Sequence, residues 1–193
     1  MIQVHDNMFS PFYFGYLLRY VEMNKFQTVN VGGKDFTILN PKEEIIRAFV
    51  ERISAIEKRP IELILGFFRL ATKDIDTDWR IHSDLNINGQ KPDKAGVFYF
   101  RENEEELSGT AFWKHKEYGS ELPIDFKDEN YDLLLMKDSN DLDKWILTDV
   151  VSSVPNRLLL YNASQFHSKF PNVSWGKGQE DGRIVFVMFY NLK

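Results

Sequence analysis

A chain of 193 residues, 43% hydrophobic and 15% aromatic, is long and apolar enough to bury one sizeable core, which excludes a disordered chain. A formal net charge of -5 argues against a general nucleic-acid binder, because phosphate affinity requires a basic footprint. Cys is absent, so disulfides and thiolate metal sites are excluded, and any transition metal must be held by His and carboxylate.

The opening MIQVHDNMFSPF lacks a basic region followed by an apolar run, and no apolar stretch approaches membrane-spanning length; the expectation is a cytoplasmic protein without a membrane segment. Ser10 and Pro11 ahead of FYFGYLLRYVEMN supply an N-cap, a first-turn Pro and helical spacing, predicting a helix over Pro11 to Met23. Asn40-Pro41-Lys42-Glu43 reads as a capping box, and Ile45, Ile46, Phe49, Val50, Ile53 and Ile56 repeat at the helical period. This predicts an amphipathic helix packed on something flat.

From Ile61 onward the texture changes to short β-branched and aromatic runs broken by Gly, Pro, Asn and Asp. Seven strands are predicted: IELILGFFRLAT, WRIHSDL, AGVFYFRE, GTAFWKHK, KWILTDVV, RLLLYNA and RIVFVMFYNL. Their number and length suit an antiparallel sandwich or barrel, with a jelly roll the best fit. Residues 118–143 are rich in Asp and Glu and read as an excursion between strands with a short helix near Tyr131 to Met136. No linker or repeat interrupts the chain, so a single domain over 1–193 is expected, with a helical part over 1–60 and a mostly β core over 61–193.

His82 and Asp84 lie two apart in WRIHSDL, so on a strand both side chains leave the same face. Two imidazoles and one carboxylate make the facial triad that suits Fe(II) and leaves positions open for co-substrate and oxygen; His167 is the candidate for the third ligand. Taken alone, the dipeptide reads equally as an edge-strand His followed by a turn at LNINGQKP. Arg183 lies 183 − 167 = 16 residues beyond His167 and opens the strand RIVFVMFY, on one face with Val185, Val187 and Phe189. A guanidinium among apolar residues calls for an anion, and the far carboxylate of 2-oxoglutarate would supply one.

In this order, His82-Ser83-Asp84, the small-residue run Ser108-Gly109-Thr110-Ala111-Phe112, then His167 and Arg183, the chain resembles the 2-oxoglutarate and Fe(II)-dependent dioxygenases, especially their prolyl-hydroxylase-like branch, over roughly Ile61 to Leu192. Asn156 to Tyr161 is similar to that family's strand leading to the distal ligand. The resemblance implies a double-stranded β-helix with N-terminal helices on its outer sheet, Fe(II) as metal, 2-oxoglutarate as co-substrate, and O2 and a peptide, amino acid or other small molecule as further substrates. It also implies a Tyr contact to the co-substrate, for which Phe98 and Tyr99 compete, with Tyr99 the choice. The chain departs from the pattern in the long spacing from His167 to Arg183, where PNVSWGKGQEDG reads as an enlarged turn. His115 reads as structural and is left out of the ligands. Two alternatives stay open: a cupin-like metal enzyme not using 2-oxoglutarate, and a non-catalytic jelly-roll binding module. Neither the primary substrate nor the oligomeric state can be read from the residues.

Overall fold

The computed structural model describes residues 1–31, 33–103, 107–122 and 128–193. In chain order the elements are β1 (Gln3–His5), α1 (Pro11–Met23), β2 (Gln27–Val31), β3 (Lys34–Leu39), α2 (Glu43–Glu57), β4 (Ile61–Ala71), β5 (Lys94–Tyr99), β6 (Gly109–His115), α3 (Asp128–Asp138), β7 (Trp145–Ser152), β8 (Arg157–Asn162), β9 (His167–Phe170) and β10 (Arg183–Leu192), with one 3-10 turn at Leu142–Lys144. The strands form a seven-stranded sheet in the order β1-β8-β5-β10-β4-β3-β2 and a three-stranded sheet in the order β7-β6-β9. All pairings are antiparallel. This is a mostly β jelly roll with helices on the outer face of its larger sheet.

The period of two along the strands sorts the side chains between two cores. On the outer face, Phe68, Phe98, Leu158, Leu160, Ile184, Phe186, Met188 and Tyr190 meet Leu17 and Val21 of α1 and Ile45, Phe49 and Ile53 of α2. Their neighbours in sequence, Val97, Tyr99, Leu159, Tyr161, Val185 and Phe189, face inward with Phe112. A third core, containing Ile81, Ala111, Trp113, Leu134, Trp145 and Phe166, lies behind the three-stranded sheet.

The two predicted helices are present. The Ser10 hydroxyl accepts the Tyr13 N–H at 3.3 Å at the start of α1, and Asn24 leaves the helix in extended conformation. The start of α2 corrects the capping box: its N-cap is Lys42, with no side-chain cap bond, and Asn40 takes no part. Glu43 and Glu44 instead place negative charge in the first turn, where the helix dipole favours it. The first 60 residues also contribute β1, β2 and β3, which the sequence reading did not predict.

A second correction concerns WRIHSDL, which is extended but forms no strand: within it only His82 makes a β-bridge, to His167. Within the 118–143 excursion, residues 123–127 lie outside the described residues, and the helix predicted near Tyr131 to Met136 is the longer α3. No described helix is long and apolar enough to cross a membrane.

Candidate metal centre

His82 and Asp84 come from the extended segment between β4 and β5, and His167 is the first residue of β9. The segment and β9 exchange two main-chain hydrogen bonds, His82 N–H to the His167 carbonyl at 3.0 Å and His167 N–H to the His82 carbonyl at 2.8 Å. That exchange brings residues far apart in sequence side by side. The His82 Nε2 atom lies 3.7 Å from Asp84 Oδ1 and His167 Nε2 lies 3.4 Å from Asp84 Oδ2. The three ligand-type atoms all lie within 4.8 Å of one another.

The hydrogen bonds of the rings fix their tautomers. His82 Nδ1 faces the Arg80 carbonyl at 3.0 Å and His167 Nδ1 faces the Gln165 carbonyl at 2.9 Å. A carbonyl can only accept, so each Nδ1 carries the proton and each Nε2 presents a lone pair toward Asp84. Burial, followed by the neighbouring His167 ring, pushes His82 below its ordinary pKa. Burial also raises Asp84, with His167 and the Tyr161 hydroxyl opposing the shift. Two imidazoles with their Nε2 atoms turned to one desolvated carboxylate are the donor set of the two-His-one-carboxylate triad, and the donor set fits a divalent ion such as Fe(II). With imidazole–carboxylate distances of 3.7 and 3.4 Å, the three side chains would be able to hold one ion between them.

One further side chain reaches these atoms. The Tyr161 hydroxyl, inward-facing on β8, lies 3.1 Å from His167 Nε2 and 3.5 Å from Asp84 Oδ2. The sequence reading missed it, although period-two alternation with the inward Leu159 was a usable signal.

Arg183 opens β10 on the inward face, and its side chain is buried. Its Nη2 donates to the Gly109 carbonyl at 3.3 Å, and its Nε has no hydrogen-bond partner among the described residues. Burial lowers the pKa of this guanidinium, with the Tyr99 hydroxyl opposing that. Gly109 is required here by close approach: a Cβ at that position would sit 1.9 Å from the Val151 carbonyl oxygen of β7.

Tyr99 stands opposite Val185 on the same inward face and donates to the Thr110 hydroxyl at 2.7 Å. Its rival Phe98 turns the other way, into the core beneath the helices. Burial pushes the Tyr99 hydroxyl up to about 12, with Arg183 pulling it down. Lys169 lies two residues beyond His167 on the same face of β9, opposite Thr110, and gives a hydrogen bond to the Asp76 carbonyl at 2.8 Å. The Asp76 carboxylate is itself held by both forks of Arg69.

His115 belongs elsewhere. Its Nδ1 accepts the N–H groups of Glu117 and Tyr118, its Nε2 lies 3.1 Å from Asp138, and the ring packs edge-on against Trp145. It fastens α3 to β6 behind the three-stranded sheet.

The enlarged turn between β9 and β10 also has a structural role. Gln179 directs its side-chain amide at the main-chain carbonyls of Val21, Glu22 and Asn24, which closes the end of α1. The extra residues therefore reach outward to the helix while Arg183 keeps its inward place.

No protein-family model matches the sequence, and no curated protein is similar to it in sequence. Similarity appears in three dimensions. HygX from Streptomyces hygroscopicus, solved with nickel, 2-oxoglutarate and hygromycin B bound, superposes with a TM-score of 0.61 at 16% identity, covering 100% of this chain and 83% of that one. The non-heme alpha ketoglutarate dependent epimerase SnoN from nogalamycin biosynthesis gives 0.65 at 10% identity, over 98% of this chain and 78% of that one. A Pseudomonas putida prolyl-4-hydroxylase gives 0.59 at 12% identity, over 98% and 92% of the two chains. What these likenesses establish is the shared fold.

Proposed function

We propose that this chain is an Fe(II)- and 2-oxoglutarate-dependent dioxygenase that hydroxylates a peptide, an amino acid or another small molecule, built as a single domain, with His82, Asp84 and His167 as metal ligands. The observation that carries the proposal is the pair of imidazoles, each locked as the Nδ1–H tautomer, whose Nε2 lone pairs converge on one buried carboxylate. Main-chain carbonyls that accept the other ring N–H hold metal-binding His rings in place in many metalloenzymes. The solved structures that share the fold include HygX with 2-oxoglutarate and nickel bound, and HygX with iron bound.

When bound, Fe(II) would supply the redox chemistry that couples decarboxylation of 2-oxoglutarate, with release of succinate and CO2, to oxidation of a second substrate by O2. The chain's own part is to bind and orient. Arg183 supplies a buried guanidinium whose Nε still has a donor to give, which suits the far carboxylate of the co-substrate. Tyr99 and Thr110 line the same end with two hydroxyls, and Tyr99 contacts the co-substrate in this reading. The apolar inner face of Val97, Phe112, Leu159 and Val185 keeps water away from the co-substrate.

The test is an anaerobic Fe(II) titration followed by measurement of succinate from 2-oxoglutarate without added substrate. One saturable iron per chain together with succinate supports the proposal. Iron without succinate favours a cupin-like metal enzyme, and no saturable iron favours a binding module.

A further inference from the structure

The segment that carries two of the proposed ligands has no continuous strand beside it, yet each main-chain N–H from Ile81 to Asp84 has a partner. Over residues 81–84 the N–H groups alternate between two sets of partners. His82 donates to the His167 carbonyl at 3.0 Å and Asp84 to the Ala163 carbonyl at 2.8 Å, both parts of the roll. Ile81 donates instead to the Ser139 carbonyl at 2.9 Å, at the end of α3. Ser83 donates to the Tyr131 hydroxyl oxygen at 2.9 Å, and that same hydroxyl donates back to the Ser83 carbonyl. A single phenol thus satisfies both main-chain groups of the residue between His82 and Asp84, as a neighbouring strand would.

The burial leaves little room for a substitute. Ser83 is 4% exposed, so water cannot readily replace either bond. The peptide groups on either side of Ser83 set the directions of the two flanking side chains, because successive residues of an extended chain point to opposite faces. A rotation there would swing His82 and Asp84 together. Tyr131 is held from its own side as well: Leu134, one turn along α3, lies in the core behind the three-stranded sheet. The end of the helix is fixed by the Trp145 indole, which donates to the Asp138 carbonyl at 2.7 Å.

We infer that Tyr131 is a positioning residue for the metal site, through which the α3 excursion acts as the missing strand neighbour of His82-Ser83-Asp84. This inference rests on the metal reading proposed above. It assigns the excursion a role at the site: it sets how tightly the metal is held.

The test compares the wild type, Tyr131→Phe and Leu134→Ala by anaerobic Fe(II) calorimetry, by the visible spectrum of the Co(II)-loaded protein, and by the metal-free urea midpoint. Loss of an outer partner of a metal ligand weakens binding by about 10- to 100-fold, and Tyr131→Phe is expected at the lower end, with a shifted Co(II) spectrum. Leu134→Ala removes packing from the same helix but keeps the hydroxyl. It is expected to lower the urea midpoint at least as far while leaving Fe(II) affinity within about twofold of wild type, because the hydrogen bonds rather than the packing orient the ligands. Wild-type affinity and spectrum in Tyr131→Phe, or equal weakening in Leu134→Ala, would overturn the inference while leaving the metal reading intact. No saturable metal in the wild type would remove both. Should Tyr131→Phe fail to fold, 3-fluorotyrosine at position 131 changes the hydroxyl with little change in packing, and an unchanged Co(II) spectrum would overturn the inference in its turn.

Discussion

Arg183 donates from Nη2 to the carbonyl of Gly109 at 3.3 Å and holds a second donor, Nε, buried and without a partner among the described residues. The bond joins the first residue of the central strand of one sheet to the first residue of the central strand of the other. The guanidinium is thereby aimed along the interior of the roll, toward the end lined by Tyr99 and Thr110.

If a co-substrate carboxylate takes that donor, Arg183→Ala should leave Fe(II) binding nearly intact and raise the apparent 2-oxoglutarate constant at least about tenfold, since charge-assisted bonds contribute about 1.5 to 3 kcal/mol each. Arg183→Lys should fall between, keeping the charge and losing the fork. The check is a matched titration of 2-oxoglutarate on all three proteins, reading succinate and bound iron. An unchanged constant in the Ala variant would assign the anchor to another residue.

Each of His82→Ala, Asp84→Ala and His167→Ala should abolish the saturable Fe(II) site, because each removes one of three donors already converged within 4.8 Å. Anaerobic calorimetry reads this directly, and wild-type affinity in any of the three would strike that residue from the ligand set.

Asp84→Asn should stabilise the metal-free protein while ending its response to metal. The buried Asp84 carboxyl has a raised pKa, so at neutral pH its ionised form costs folding free energy relative to the unfolded chain. That cost is present above the folded-state pKa and disappears as pH falls below the unfolded value, where the group is protonated in both states. The expected result is a higher melting temperature than wild type at pH 7, with the gain shrinking toward zero in acid. Melting curves in chelator across that pH range test it. A variant less stable than wild type at pH 7 would contradict it.

Phe186 is fully buried at the centre of the larger sheet and lies 4.3 Å from the Phe49 ring of α2 and 4.9 Å from Phe68 of β4. Phe186→Ala should therefore cost about 3 to 5 kcal/mol in urea unfolding. A loss under about 1 kcal/mol would mean that the helices do not depend on this face.

The sequence made the periodic parts of the molecule legible and left the exchanged contacts hidden. Helix α1 runs over the residues expected because Ser10 and Pro11 act locally. Six of the seven strands expected from Ile61 onward are present, β9 was not expected, and the inward face of β10 is the one expected for Arg183. By contrast, β2 and β3 are short, QTVNV and KDFTIL, and no strand was expected there. The segment WRIHSDL has the alternation of a strand, and its odd and even residues do face opposite ways, but its partners come from two separate stretches of the chain, Tyr131 and Ser139 on one side and Ala163 and His167 on the other. Nothing local encodes such partners. Tyr161 and Lys169 are neither ligand types for Fe(II) nor part of the order His82, Asp84, His167, Arg183, and their positions follow only from the faces of β8 and β9.

In the seven-stranded sheet, β10 lies between β4 and β5. Before β10 is synthesised, the sheet can exist only as two separate pieces, β4-β3-β2 and β1-β8-β5, each exposing an unpaired inner edge. Such edges invite pairing with other chains, and long-range strand pairing is slow to form. The interval before β10 inserts is thus when the two inner edges are most open to pairing with other chains. The strand that ends it also delivers Arg183, so joining the two pieces and completing the pocket become one event.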